Sequence, residues 1–116
     1  MRKLKKGKKF GLKKDQRKAF LKILAHHLIM NQKIKTTTQR AKVLKQLMER
    51  LISKAKKGDL ATLRYLLAHL PKKSAYKLFY EIAPKYQDRN GGYLRVLKLP
   101  FRRIKDNAEL SLIEFV

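Results

Sequence analysis

The sequence predicts an α+β fold: about four helices packed with a small two- to three-stranded sheet, preceded by an extended basic N-terminal arm. Three observations predict it. Apolar residues recur at helical spacing in four successive segments between residues 15 and 83. Beyond residue 88 the pattern changes to the shorter alternation of strands. Residues 1–14 carry eight basic side chains, no acid, and no spaced apolar residues that would let them fold alone.

The elements follow in order. Asp15 is the expected N-cap of the first helix, because its carboxylate accepts from exposed N–H groups and suits the positive end of the helix dipole. That helix runs to about Asn31, with Phe20, Leu21, Leu24, Ala25, Leu28 and Ile29 on one face and Lys14, Lys18, Lys22 and His26 as successive i+4 neighbours on another. Lys33 to Thr37 is short and β-branched, which predicts a brief strand. Thr37 or Thr38 then caps a second helix to about Lys57. Its apolar seam is Ala41, Leu44, Met48, Leu51 and Ala55, widened by Leu47 and Ile52.

Gly58 fits a left-handed helix stop and Asp59 the next N-cap. The third helix is expected to reach Leu70, with Leu60, Leu63, Leu67 and Leu70 inward and Pro71 ending it. A fourth spans about Lys73 to Ala83, burying Ala75, Leu78, Phe79 and Ile82 before Pro84. Asp88 to Gly92 is turn-rich, and Tyr93–Leu99 and Glu109–Phe115 read as strands joined by a basic loop with Phe101, Arg102, Arg103 and Lys105. Pattern alone leaves the strand order open. The expected organisation is a basic arm, 1–14, and a single globular domain, 15–116.

Charge says most about partners. The chain has 31 Lys and Arg against 8 Asp and Glu, a formal net charge of +23 on 116 residues. Met1 to Lys57 holds 20 of the basic residues and only 2 acids, and residues 16–48 contain no acid at all. Such an excess opposes a free compact state by self-repulsion, so a permanent polyanion is the expected partner. Asn90, Gly91 and Gly92 supply positive φ for a turn and let a phosphate or ribose approach the backbone. Tyr93 and Phe10 are candidates for contact with a base, or for packing within the protein itself.

Other chemistries are disfavoured. Without cysteine there is no disulfide or thiolate metal site. His26 and His27 point about 100° apart and His69 has no partner at ligand spacing, so neither metal nor cofactor is expected. The eight carboxylates are scattered, with no nucleophile–base order and no phosphate-cradling motif, which argues against an enzyme and a small-molecule substrate. No apolar run approaches the roughly 20 residues that span a bilayer, so no membrane partner is expected. The arm lacks the apolar core of a secretion signal and reads as part of the mature protein. Composition alone admits two binding classes, an RNA-bound structural protein and a sequence-tolerant DNA-compacting one.

The order of parts resembles the bacterial-type large-subunit ribosomal protein number seventeen family over essentially the whole chain. The resemblance is carried by Met1-Arg2 through Gly7-Lys8-Lys9-Phe10, by Arg17-Lys18-Ala19, Ile34-Lys35-Thr36-Thr37, Ala41-Lys42, Leu51 to Lys56, Lys77-Leu78-Phe79 and above all Asp88 to Lys98. The chain departs from the family pattern at Leu12, Gln16 and Ile23. The resemblance implies a structural constituent of the large ribosomal subunit, cytoplasmic or organellar, without catalysis. It is expected to bind ribosomal RNA beside neighbouring ribosomal proteins and not to homo-oligomerise. The expected RNA contacts are Arg2, Lys3, Lys5, Lys6, Lys8, Lys9, Phe10, Lys13 and Lys14 in the arm; Arg17, Lys18, Lys22, Lys35, Arg40 and Lys42 in the body; and Arg89, Asn90, Gly91, Gly92, Tyr93, Arg95, Arg102 and Arg103 near the last two strands.

Overall fold

A computed structural model describes residues 13–116. Helices α1 (Lys14–Asn31), α2 (Thr38–Ala55), α3 (Leu60–His69) and α4 (Lys72–Lys77) pack against a three-stranded sheet of β1 (Lys33–Thr37), β2 (Leu94–Arg102) and β3 (Glu109–Phe115). The α+β class is as expected from the sequence. The strand order is β1-β3-β2, antiparallel throughout. The last strand in sequence is therefore the central one.

Helix α1 starts one residue before its expected cap. Lys13 is the N-cap, and Gln16 at N3 accepts from the Lys13 backbone N–H at 3.4 Å. Asp15 instead lies inside the first turn, where its charge still meets the positive end of the helix dipole. Lys14, assigned to the arm on sequence, is the first helical residue. The helix ends at Gln32, whose φ of 70° is left-handed and whose N–H reaches Leu28 O at 2.8 Å.

The seam of α2 is buried as its period requires, with Ala41, Leu44, Met48, Leu51, Ile52 and Ala55 all inside. This helix touches α1, α3 and all three strands, so it is the axis of the core. Thr37 caps it, accepting from Arg40 N–H at 3.4 Å. Gly58, at φ 69°, turns the chain into α3.

Helix α3 is rotated from the expected leucine stripe. Thr62, Leu66 and Leu70 face inward, Leu63 and Leu67 are half-buried, and Leu60 is exposed. The cause is the cap: Asp59 accepts from Thr62 N–H at 2.8 Å and from its hydroxyl at 2.6 Å, so the threonine enters the interior with its polar groups satisfied. These bonds favour the ionised carboxylate and hold Asp59 below its usual range.

The fourth helical segment does not stop at Pro84. Helix α4 widens into a π turn at Leu78–Ile82 and tightens into a 3₁₀ turn at Ala83–Tyr86, where Pro84 is accommodated in the first turn. Leu78, Ile82, Ala83 and Tyr86 are thereby all buried, whereas Phe79 is only half-buried. Strand β2 also runs further than expected, through Pro100 to Arg102. Regular pairing with β3 lapses between Lys98 and Arg102, and β2 is an edge strand, so the missing proline N–H breaks no ladder.

Ile34, Ile113 and Val96 share one register row and Thr36, Ser111 and Lys98 the next row on the same face. Ile113 and Ser111 are fully buried. The Ser111 hydroxyl is 2.7 Å from that of buried Thr38, which also donates to Glu109 O at 3.3 Å. This polar stitch ties the start of α2 to the middle strand.

Candidate nucleic-acid interface

On the helices, periodicity places the cations outward and geometry leaves them unneutralised. Lys13, Lys14, Lys18, Lys22 and Lys42 are exposed, and Arg17 is half-exposed. Arg40 sits with its guanidinium carbon 4.8 Å from the Phe20 ring centroid, linking α2 to α1. Half-buried His26 departs from the lysine stripe that precedes it, with Nδ1 buried. Among the described residues the ion pairs are Arg95–Glu114 at 2.8 Å, Lys98–Glu109 at 3.3 Å and Arg103–Asp106 at 2.6 Å, all on the β2–β3 hairpin. None involves α1 or α2.

The cations of the sheet are differently placed. Lys35 and Arg95 lie on the sheet face opposite the Ile113 row, Arg95 held by Glu114. Arg103 grips Asp106 through two parallel bonds of 2.9 and 2.6 Å, and Arg102 donates to Asn107 O at 3.2 Å. The bidentate bond pulls the Asp106 carboxyl down to about 2 and raises Arg103. Arg102 and Arg103 would have to leave these acceptors to meet a phosphate.

The Arg89–Tyr93 segment is pinned by a lysine. Lys56, just beyond α2, donates through Nζ to Arg89 O and, at 3.1 Å, to the Tyr93 hydroxyl, which itself donates to Arg89 O at 3.2 Å. Arg89 Nε bonds Gly91 O at 3.1 Å, closing the turn. Only Gly92 has a positive φ, 63°; neither Asn90 nor Gly91 does, contrary to the expectation for both. Arg89 and Asn90 are exposed. Tyr93 corrects the list of base contacts: it is 2% exposed, packed 5.4 Å from Tyr86 and overlaid by Lys56, so no ring face is open to a base. Arg2, Lys3, Lys5, Lys6, Lys8, Lys9 and Phe10 lie outside the described residues.

Known proteins with this chain's sequence pattern are numerous. The family model for Ribosomal protein L17 matches residues 20–116. The chain belongs to that family. A Hydrogenobaculum protein named large ribosomal subunit protein bL17 is 48% identical over 112 residues, spanning 96% of this chain and 95% of its own. Proteins of the same name from Thermodesulfovibrio yellowstonii and Clostridium novyi are 49% and 44% identical, covering 95% and 94% of this chain and 83% and 96% of theirs. The resemblance read from the Asp88–Lys98 stretch and its companions is therefore correct.

Sequence reasoning missed a groove on the helical layer of this L17-family chain. Lys18 and Lys22 of α1 meet Arg50 of α2 and Tyr65 and His69 of α3 around a groove of about 560 Å³. The α1 lysines were legible from their i+4 spacing. That Arg50, Tyr65 and His69 join them depends on how three helices pack, which no local spacing reports.

Proposed function

We propose that this chain is a structural, non-catalytic constituent of the large ribosomal subunit in the bacterial cytoplasm, where it supports subunit assembly and translation. It holds ribosomal RNA mainly through phosphate contacts from an arm at residues 1–14 and from the basic faces of α1 and α2, beside neighbouring ribosomal proteins. The observation that carries this reading is the division of charge. Acids pair with three of the five cations of the hairpin, while the cations of α1 and α2 have no carboxylate partner among the described residues. A surface that only needed solubility would interleave both signs. Phosphate contacts fix position and orientation, which is the task of a structural subunit.

The test is a salt titration of binding to large-subunit ribosomal RNA. With six to ten phosphate contacts, affinity should fall roughly 10³- to 10⁵-fold between about 50 and 200 mM salt. Replacing Lys5, Lys6, Lys8 and Lys9 by Ala should lower the logarithmic salt slope by about 3 and leave thermal unfolding unchanged. A nearly flat titration, or a chain that follows DNA rather than large subunits on sedimentation, would refute the proposal.

A further inference from the structure

We propose that the groove between α1, α2 and α3 receives a single unpaired nucleotide, its base laid on His69 and its phosphates between Lys18, Lys22 and Arg50. This rests on the RNA-binding reading and adds a discrete site to it. The groove's volume, about 560 Å³, falls within the roughly 300–1,000 Å³ of small-ligand sites. Its floor is aliphatic, including Leu47 and Leu51, and none of its lining residues is acidic.

The aromatic pair sets the occupant's chemistry. His69 stacks on Tyr65 with ring centroids 4.1 Å apart and planes 25° apart, and its Nδ1 is held 2.9 Å from Tyr65 O. Both contacts fix an exposed imidazole in one orientation. Lys54 Nζ lies 4.3 Å from the Tyr65 centroid, so the tyrosine ring is already engaged on its own account. His69, exposed and lining the groove, supplies the planar surface. A planar base extends such a stack, whereas the carboxylates of an acidic peptide would need the lysines alone. A base inside a duplex has both faces covered by its neighbours, so only an unpaired one fits.

Lys18 and Lys22 are adjacent on one helix stripe and Arg50 approaches from α2, which places positive charge beside the aromatic platform. None of the three has an ion-pair partner among the described residues. The groove thus combines a backbone-attracting rim with one stacking surface.

The experiment uses the full chain and two RNA hairpins that differ only in whether one 2-aminopurine is bulged or paired. The wild type should prefer the bulged hairpin by roughly 5- to 150-fold, the range for one stacked base, and quench its emission. His69→Ala should abolish preference and quenching, and His69→Phe should restore both. Replacing Lys18 and Lys22 by Ala should weaken the bulged hairpin more than the paired one, which does not enter the groove; equal weakening of the two would overturn the phosphate seat. A wild type without preference, or a His69→Ala variant that keeps it, overturns the nucleotide site. So does a polyglutamate peptide that binds the wild type in a His69-dependent manner. Salt-sensitive binding of both hairpins without preference would leave the RNA-binding reading standing and this inference refuted. Binding of neither would overturn both.

Discussion

Lys56 is a lysine whose charge serves the fold, and Lys56→Met isolates that charge because methionine keeps most of the aliphatic stem. The substitution removes the bonds from Nζ to Arg89 O and the Tyr93 hydroxyl, and the ammonium 5.2 Å from the Tyr93 ring centroid. Hydrogen bonds to a charged group contribute about 1.5–3 kcal/mol, and an exposed cation–π contact about 0.5–1. Lys56 is partly exposed, and Tyr93 OH keeps its own bond to Arg89 O, so no buried polar group is orphaned. The low end applies, about 2 kcal/mol. For a body of this size that lowers Tm by roughly 8 °C. Lys22→Met is the control: it should melt within about 0.5 kcal/mol of wild type and reduce the logarithmic RNA salt slope by about 0.9. Differential scanning calorimetry and a salt titration read both variants. If Lys56→Met melts like wild type and lowers the salt slope, Lys56 is a phosphate ligand and the clamp argument fails.

Three further outcomes are expected. Ser111→Ala should cost about 1–2 kcal/mol in urea unfolding by removing the 2.7 Å partner of Thr38, and adding Thr38→Val should cost less than the sum of the single changes; strict additivity would remove the stitch from the account. Gly92→Val should destabilise by about 1–3 kcal/mol, since a β-branched residue resists φ 63°, while Gly91→Val should be nearly silent, having open space and no positive φ; equal melting curves for the two would refute this. Asp106, lowered from 3.8 to about 2, binds its proton less tightly when folded, so its contribution to stability is present above 3.8 and is lost as pH falls through 2. Carboxyl NMR should show that midpoint, and Arg103→Gln should return it toward 3.8; no movement would mean that Arg103 is not the cause.

Much of the architecture was legible because burial imposes a period. The α2 seam and strands β1 and β3 could be placed from spacing alone, and Asp59 and Thr37 from the chemistry of caps. What escaped were choices between near-equal local options. Lys13 rather than Asp15 is the N-cap, and Gln16 reaches back to its N–H, an alternative within the same turn that composition does not mark. The π turn at Leu78–Ile82 has no compositional mark, since widening the turn merely re-aims the same apolar residues. The candidate interface was legible as charge but not as geometry. Sequence shows that Arg103 and Lys56 are basic, but not the local turn that engages Arg103 with Asp106 nor the tertiary packing that engages Lys56 with Arg89 and Tyr93.

Placing β3 between β1 and β2 has a kinetic consequence. Among the described residues both outer strands pair with β3 alone, so neither joins this ladder before residues 109–115 have been synthesised. The Thr38–Ser111 contact spans 73 positions, and closing so long a loop precedes any reward from sheet pairing. The basic stripe of α1 needs only local helix formation. A nascent chain can therefore complete the basic stripe of α1 while its sheet is still waiting for its middle strand, so the two halves of the fold are separated in time as well as in sequence.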